Sequence, residues 1–255
     1  MTPAWLAAAR TAADRPPERP RTPFRLVAAD GLPVEVGSIE PAIAARLIRE
    51  GQPLVPTADG GWLLEGPVSA SLAAVAGCLR GLGLAAPWRD EGLAVVDADG
   101  RVHGQVERAV VRVLGLSTAA VHLTGSTPDG RVWVQQRSDD KATDAGLWDT
   151  LMGGQIAAGE SVETALARET WEEAGLDVAA LIGLQRLAPI LLRRPVEEGY
   201  LVERLEVYDA VVPEGLRPEN HDGEVQRFAC LDRPTLGAWL ANGRFTLEAS
   251  LILGR

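Results

Sequence analysis

Glu169, Glu172 and Glu173 stand at i, i+3 and i+4 in a stretch, 161–174, whose composition suits a helix, so their carboxylates share one face within an arc of about 100°. One and two turns earlier the same arc carries Val162, Ala165 and Leu166, so the side that turns acidic begins as a core-facing one. Unit charges about 5 Å apart repel by roughly 3 kcal/mol at an effective dielectric near 20. A divalent cation among them reverses that sign, and carboxylate oxygen favours hard Mg²⁺ or Mn²⁺. The competing reading is a solvated, glutamate-rich surface, on which a like-charged pair costs only about 0.2–0.5 kcal/mol.

The residues around the trio weigh against that competitor. Gly154, Glu160, Arg168, Glu169, Glu172, Glu173 and Gly175, with Leu176 after them, follow the pattern Gly-x5-Glu-x7-Arg-Glu-U-x-Glu-Glu-x-Gly-U, where U is aliphatic. Seven fixed residue types coincide by chance about once in 10⁸ windows. The pattern reads as a loop, a helix and a loop: Gly153 and Gly154 allow close backbone approach to a ligand, Ser161 suits a helix N-cap, and Gly175 suits the left-handed residue that ends a helix. Arg168 is placed to reach back to Glu160 and pin the loop to the helix, a structural role. Thr170 departs from the aliphatic type, which bears on local packing and not on metal binding.

This motif resembles the Nudix box, and the chain is similar to the Nudix hydrolases. The resemblance implies an α/β (α+β) class, an α/β/α sandwich with a mixed sheet over about residues 117–255, and hydrolysis of a diphosphate joined to another group. It implies Mg²⁺ or Mn²⁺ held by Glu169, Glu172 and Glu173, with the carbonyl of Gly153 a further candidate ligand. Glu169, at the centre of the acidic arc, is the expected general base, and Glu224 is the candidate outside the box, beside its reading as a surface loop acid. His221 reads as a loop residue, since Mg²⁺ prefers oxygen.

Residues 24–27, 88–91, 107–109, 122–125 and 222–225 are similar to one Nudix subgroup, related to the Nudix part of fungal thiamine pyrophosphokinase fusions and carrying an extra N-terminal region. That resemblance implies thiamine diphosphate, or its damaged oxo and oxy analogues, cleaved to a monophosphate and phosphate. The alternatives are a nucleoside diphosphate derivative such as ADP-ribose, and a module that only binds its ligand. For a thiamine-type substrate, Trp88 or Trp148 would stack on a ring, either being equally plausible as core, and Arg137 and Lys141 would meet the diphosphate oxygens. Where relatives approach the box through Pro-Gly-x-Leu-Asp, this chain has Ala145-Gly146-Leu147-Trp148-Asp149.

Elements must be found to hold these residues. A chain of 255 residues suggests two units. Residues 1–22 read as a short helix and a proline-rich tail, ordered only if docked, 23–116 as a small α+β unit, and 117–255 as the unit carrying the box. Within the first unit, helices are expected at 40–50, 69–80 and 105–114. In the second, strands are expected at 119–124, 131–137, 185–192, 200–212 and 227–231, and helices at 234–241 and 247–253.

Composition bounds the partners. A formal charge of −10 argues against a nucleic-acid surface. No run approaches the roughly 18 apolar residues of a membrane helix. The apolar start, residues 4–9, is too short for a signal-peptide core, and Cys78 and Cys230 read as buried thiols. The expectation is a cytoplasmic protein acting on a small diphosphate, with a homodimer left open because many Nudix proteins pair.

Overall fold

The computed structural model describes residues 2–141 and 143–255. Helix α1 (Ala4–Ala13) is followed by strands β1 (Thr22–Val27) and β2 (Pro33–Ile39), helix α2 (Pro41–Arg49), strands β3 (Leu54–Pro56) and β4 (Trp62–Leu64), and helix α3 (Val68–Gly81). These strands form a sheet of order β2-β1-β4-β3. Phe24, Leu26, Leu47, Leu72 and Leu79 lie in the core under it.

The larger, ten-stranded sheet starts with β5 (Gly92–Val96) and β6 (Val102–Glu107) and continues with β7 (Ser117–Ser126), β8 (Val132–Arg137), β9 (Trp148–Asp149) and β10 (Met152–Gln155). Helix α4 (Val162–Ala174) then precedes β11 (Ile182–Arg186), β12 (Ile190–Val196), β13 (Gly199–Val211) and β14 (Val225–Leu231), and α5 (Arg233–Ala241) and α6 (Leu247–Leu253) follow. The sheet is mixed: β13 runs parallel to β7, whereas β10 runs antiparallel to it with Gly153 opposite His122.

Strand alternation sorts the side chains into two layers. Val121 and Leu123 of β7 and Tyr208 and Ala210 of β13 pack with Ala165 and Leu166 of α4. Their neighbours Ala120, Leu205 and Val207 pack instead with Ala13 of α1 and Leu251 and Ile252 of α6. The result is the expected sandwich, with α4 on one face and α1 and α6 on the other.

Three expectations are refined. The proposed helix at 105–114 is a strand, β6, followed by a 3₁₀ turn at Arg108–Val110 that Glu107 caps through the Ala109 N–H. Gly104 sits where a Cβ would be 2.8 Å from Val68 of α3, so the strand packs there on the helix with no side chain between them. The single strand expected at 185–192 is broken at Pro189, which offers no N–H to a ladder, into β11 and β12. The N-terminal segment is docked: Trp5 and Leu6 crowd Gly254, Arg193 pairs with Asp14, and the Tyr200 hydroxyl donates to the Arg15 carbonyl at 2.9 Å.

The hairpin β5–β6 serves both sheets. It hydrogen-bonds into the larger one at Val96 and Ser117, while Leu93, Val95 and Val106 pack in the core of the N-terminal unit. No helix among the described residues is long and apolar enough to cross a membrane.

Candidate active site

Helix α4 begins and ends as its sequence dictates. Ser161 Oγ accepts the Thr164 N–H at 3.1 Å, and Gly175 takes φ 60°, with its N–H donating to the last turn. Thr170, the departure from the motif, is fully buried and donates its hydroxyl to the Leu166 carbonyl at 2.6 Å, so the missing aliphatic costs no unpaired polar atom.

Arg168 organises the acids. Its Nε and Nη2 donate to the two oxygens of Glu160 at 2.8 and 2.9 Å, and Nη2 also reaches the Gln155 carbonyl at 3.2 Å. Nη1 donates to Glu169 at 2.7 Å and to Glu172 at 3.0 Å. Glu160 accepts the Ala157 N–H as well, which closes the loop on itself, while Arg168 ties the loop to the helix at Glu160 and at the Gln155 carbonyl. The Arg168 guanidinium holds the Glu160 carboxyl below its ordinary range.

The three metal-ligand candidates occupy different environments. Glu172 is partly open to solvent, Glu169 is buried enough that desolvation raises its pKa despite Arg168, and Glu173 is only 1% exposed. Burial pushes the Glu173 carboxyl up to about 7, against hydrogen bonds from the Gly153 N–H (2.9 Å) and Gln135 Nε2 (2.8 Å) that favour its charged form.

The two glycines of β10 are demanded by space. A Cβ on Gly154 would stand 2.0 Å from the Glu169 carboxyl carbon, and one on Gly153 would stand 2.5 Å from the His122 ring. Gly153 turns its N–H to Glu173 and away from β7, and an extended residue points both backbone groups to one side, so its carbonyl faces the acids too.

Lys141 and Glu224 are brought together. They form a direct ion pair, and Lys141 Nζ is also 3.9 Å from Glu173. The loop before β14 is fixed to the end of α4 by the Glu219 N–H on the Ala174 carbonyl and the His221 N–H on the Glu172 carbonyl, both at 2.9 Å. That anchorage carries Glu224, 49% exposed, to the box. His221 stacks edge-on against Trp171 and serves packing.

Glu169, Glu172, Arg168, the two glycines, Lys141 and Glu224 line one cavity of about 830 Å³, which Arg137 also lines; Glu173 and Glu160 do not. Arg137 Nη1 lies 3.6 Å from Asp149, and Nη2 donates to the Thr143 carbonyl at 3.1 Å. Trp148 does not line it. At 3% exposed, packed against Trp239 with centroids 4.8 Å apart, it is core, which corrects the expectation that it stacks on a substrate. The Trp88 ring is covered by the Arg80 guanidinium at 4.5 Å, and its Nε1–H donates to Asp90.

The match with a protein-family model settles the kinship: the NUDIX domain model covers residues 115–245, just over half of the chain. The chain belongs to the Nudix family. An uncharacterised Nudix hydrolase of Streptomyces coelicolor is 38% identical over 34% of this chain and 48% of its own length. An isopentenyl-diphosphate Δ-isomerase of Leifsonia xyli is 35% identical over 52% of this chain and 72% of that protein. The chain thus spans about half of the Streptomyces protein. A crystal structure of a Deinococcus radiodurans protein matches with a TM-score of 0.53 at 24% identity, covering 65% of this chain and 98% of that one, which supports the fold.

The Nudix carboxylates suit a divalent ion by chemistry: the donors are all oxygen, two of the acids are desolvated, and Gly154 leaves a cradle for one of them. Among the described residues, no three acidic, His or Cys side chains converge to chelate one ion as they stand, because Arg168 and Lys141 hold the box carboxylates.

Residues without a signal in the motif complete the Nudix site. Gln135 supports Glu173, His122 Nδ1 lies 3.1 Å from Thr150 Oγ1, and Gln155 Nε2 donates to Glu203 at 2.6 Å. Glu203 and Glu248 also line the cavity. Each carried a faint signal: Glu203 alternates with Leu201, Leu205 and Val207, and Glu248 lies at i, i+3, i+4 with Leu251 and Ile252, so both acids occupy core-facing positions.

Proposed function

We propose that the protein is a divalent-cation-dependent hydrolase of a diphosphate linkage, acting on thiamine diphosphate or its oxidised analogues and releasing a monophosphate and phosphate. The observation that supports this reading is the meeting of the box carboxylates, the Gly153 edge and the Lys141–Glu224 pair at one cavity of about 830 Å³. Glu169, Glu172, Glu173 and the Gly153 carbonyl would hold Mg²⁺ or Mn²⁺, which supplies charge neutralisation of the phosphates and acidification of water.

The chain's own groups do the rest. Glu169, whose basicity is raised by burial, takes the proton of the water whose oxygen bonds to phosphorus as the bridging P–O bond breaks. Glu224, open and opposite, is the second base candidate. Arg137 and Lys141, at the cavity wall, meet phosphate oxygens, with Lys141 released from Glu224.

The experiment is phosphate release from a panel of diphosphates with Mg²⁺, with the products read by phosphorus NMR in labelled water. Thiamine-type compounds are expected to give monophosphate and phosphate, and Glu172→Gln to lower turnover by about 10²-fold or more with the fold intact. Inactivity on every thiamine species overturns the substrate, and unaltered turnover in the variant overturns the metal assignment. The panel includes ADP-ribose, for the nucleotide alternative, and isopentenyl diphosphate, because one relative is an isomerase of that compound. A protein that binds these compounds and turns over none is a ligand-binding module.

A further inference from the structure

We infer that Glu203 and Glu248 form a recognition subsite for a cationic, amino-bearing organic group attached to the diphosphate; this rests on the diphosphate reading above. Both acids line the cavity that the box carboxylates line, and they arrive from different elements, β13 and α6. Strand β10 links the two ends. Its Gly153 N–H holds Glu173, and two residues on, about 7 Å along a strand, Gln155 Nε2 holds Glu203. A diphosphate held by the box acids that line this cavity would have its attached group within reach of the second.

The chemistry of this end is acceptor-rich. Glu203 is buried, and the groups that hydrogen-bond it are neutral, Gln155 and the Thr118 hydroxyl at 3.4 Å. Glu248 lines the cavity half-buried and makes no hydrogen bond or ion pair with another side chain among the described residues. The charges acting on it are Glu203 and Asp149, which repel, and Arg194, which attracts, and the repulsion from Glu203 is the largest of the three. Asp149 itself faces Arg137. Beside the two acids, Gln155 Oε1 is a buried acceptor without a partner, and Arg194 Nε is a buried donor without one.

Buried polar atoms left unpaired, such as Gln155 Oε1 and Arg194 Nε beside these acids, are uncommon. A ligand carrying positive charge and N–H donors would pair with Glu203 and Glu248 together. A neutral alkyl group satisfies none of them. The acids of this subsite would therefore select what is attached to the diphosphate, and the box would act on the linkage.

The test uses the full chain without added metal and reads binding by calorimetry. Thiamine, which is cationic and amino-bearing and has no phosphate, is the probe, and uridine is the neutral comparison. Thiamine is expected to bind about tenfold or more tightly than uridine, and Glu203→Gln and Glu248→Gln each to weaken thiamine about tenfold while uridine is unchanged. Both substitutions keep shape and remove a carboxyl group, and a thermal melt of each variant verifies folding. Thiamine binding no tighter than uridine, or undiminished in both variants, overturns the subsite. Thiamine binding that depends on the two acids in a protein that hydrolyses no diphosphate leaves the subsite standing and removes the proposed reaction.

Discussion

The carboxylate of Glu169 fills the space that a side chain on Gly154 would need: a Cβ there would stand 2.0 Å from its carboxyl carbon and 2.2 Å from its nearer oxygen. The obstructing atoms are the far end of a flexible side chain, so Gly154→Ala is expected to move the carboxylate and spare the backbone. Turnover falls by about 10²-fold or more while the melting temperature stays within about 4 °C of wild type. Steady-state kinetics beside a thermal melt checks this, and wild-type turnover would show that Glu169 does not work from that position.

Arg168 joins Glu160, Glu169, Glu172 and the Gln155 carbonyl. Arg168→Ala leaves the mostly buried Glu160 with the Ala157 N–H alone and is expected to cost about 2 kcal/mol in denaturant unfolding. Arg168→Lys recovers little of it, because a lysine ammonium cannot reproduce the fork that meets both oxygens of Glu160.

Trp148 sits in a core with Trp239, Leu236 and Phe245. Trp148→Ala is expected to destabilise by about 3–5 kcal/mol. In Trp148→Phe, which keeps most of the packing, KM for the substrate should equal that of wild type. A raised KM with unchanged stability would return this residue to the binding site.

Burial pushes both Glu173 and Glu248 up to about 7 from 4.5. Between those values the folded chain holds protons that the unfolded chain has released, so stability falls as pH rises through that window. Each group contributes on the order of 3 kcal/mol at most. Metal-free protein should therefore unfold at higher denaturant at pH 5 than at pH 7.5, and Glu248→Gln should flatten the profile. A wild-type profile that rises across the window contradicts the burial of both acids.

Much of the site was legible in the order of residues because its parts are local. The N-cap at Ser161, the left-handed Gly175, the i, i+3, i+4 acids and the Arg168–Glu160 pin all lie within one loop and one helix, whose geometry is fixed by short-range hydrogen bonds. The sandwich was legible too, since the period-two runs of β7 and β13 and the apolar faces of α4 and α6 have no other place to be buried.

The segment at 105–114 defeated the same reasoning. Val106, Val110, Val113 and Leu114 fit a helical face, yet Gly104 had to pass beside Val68, and the ladder with β5 took the first of them as a strand residue. Trp148 was equally open from sequence alone, since an aromatic beside the box packs or stacks according to what stands opposite, and Trp239, far along the chain, decided it.

The amino-acid sequence by itself determined the box, its helix and the kind of ion its oxygens suit, because those follow from spacing on one element. Only the tertiary structure decided that Lys141 meets Glu224, that Gln135 supports Glu173, and that Glu203 and Glu248 face one cavity. Those contacts join residues on separate strands, loops and helices, and their meeting depends on how two sheets and their covering helices pack, which no local spacing encodes.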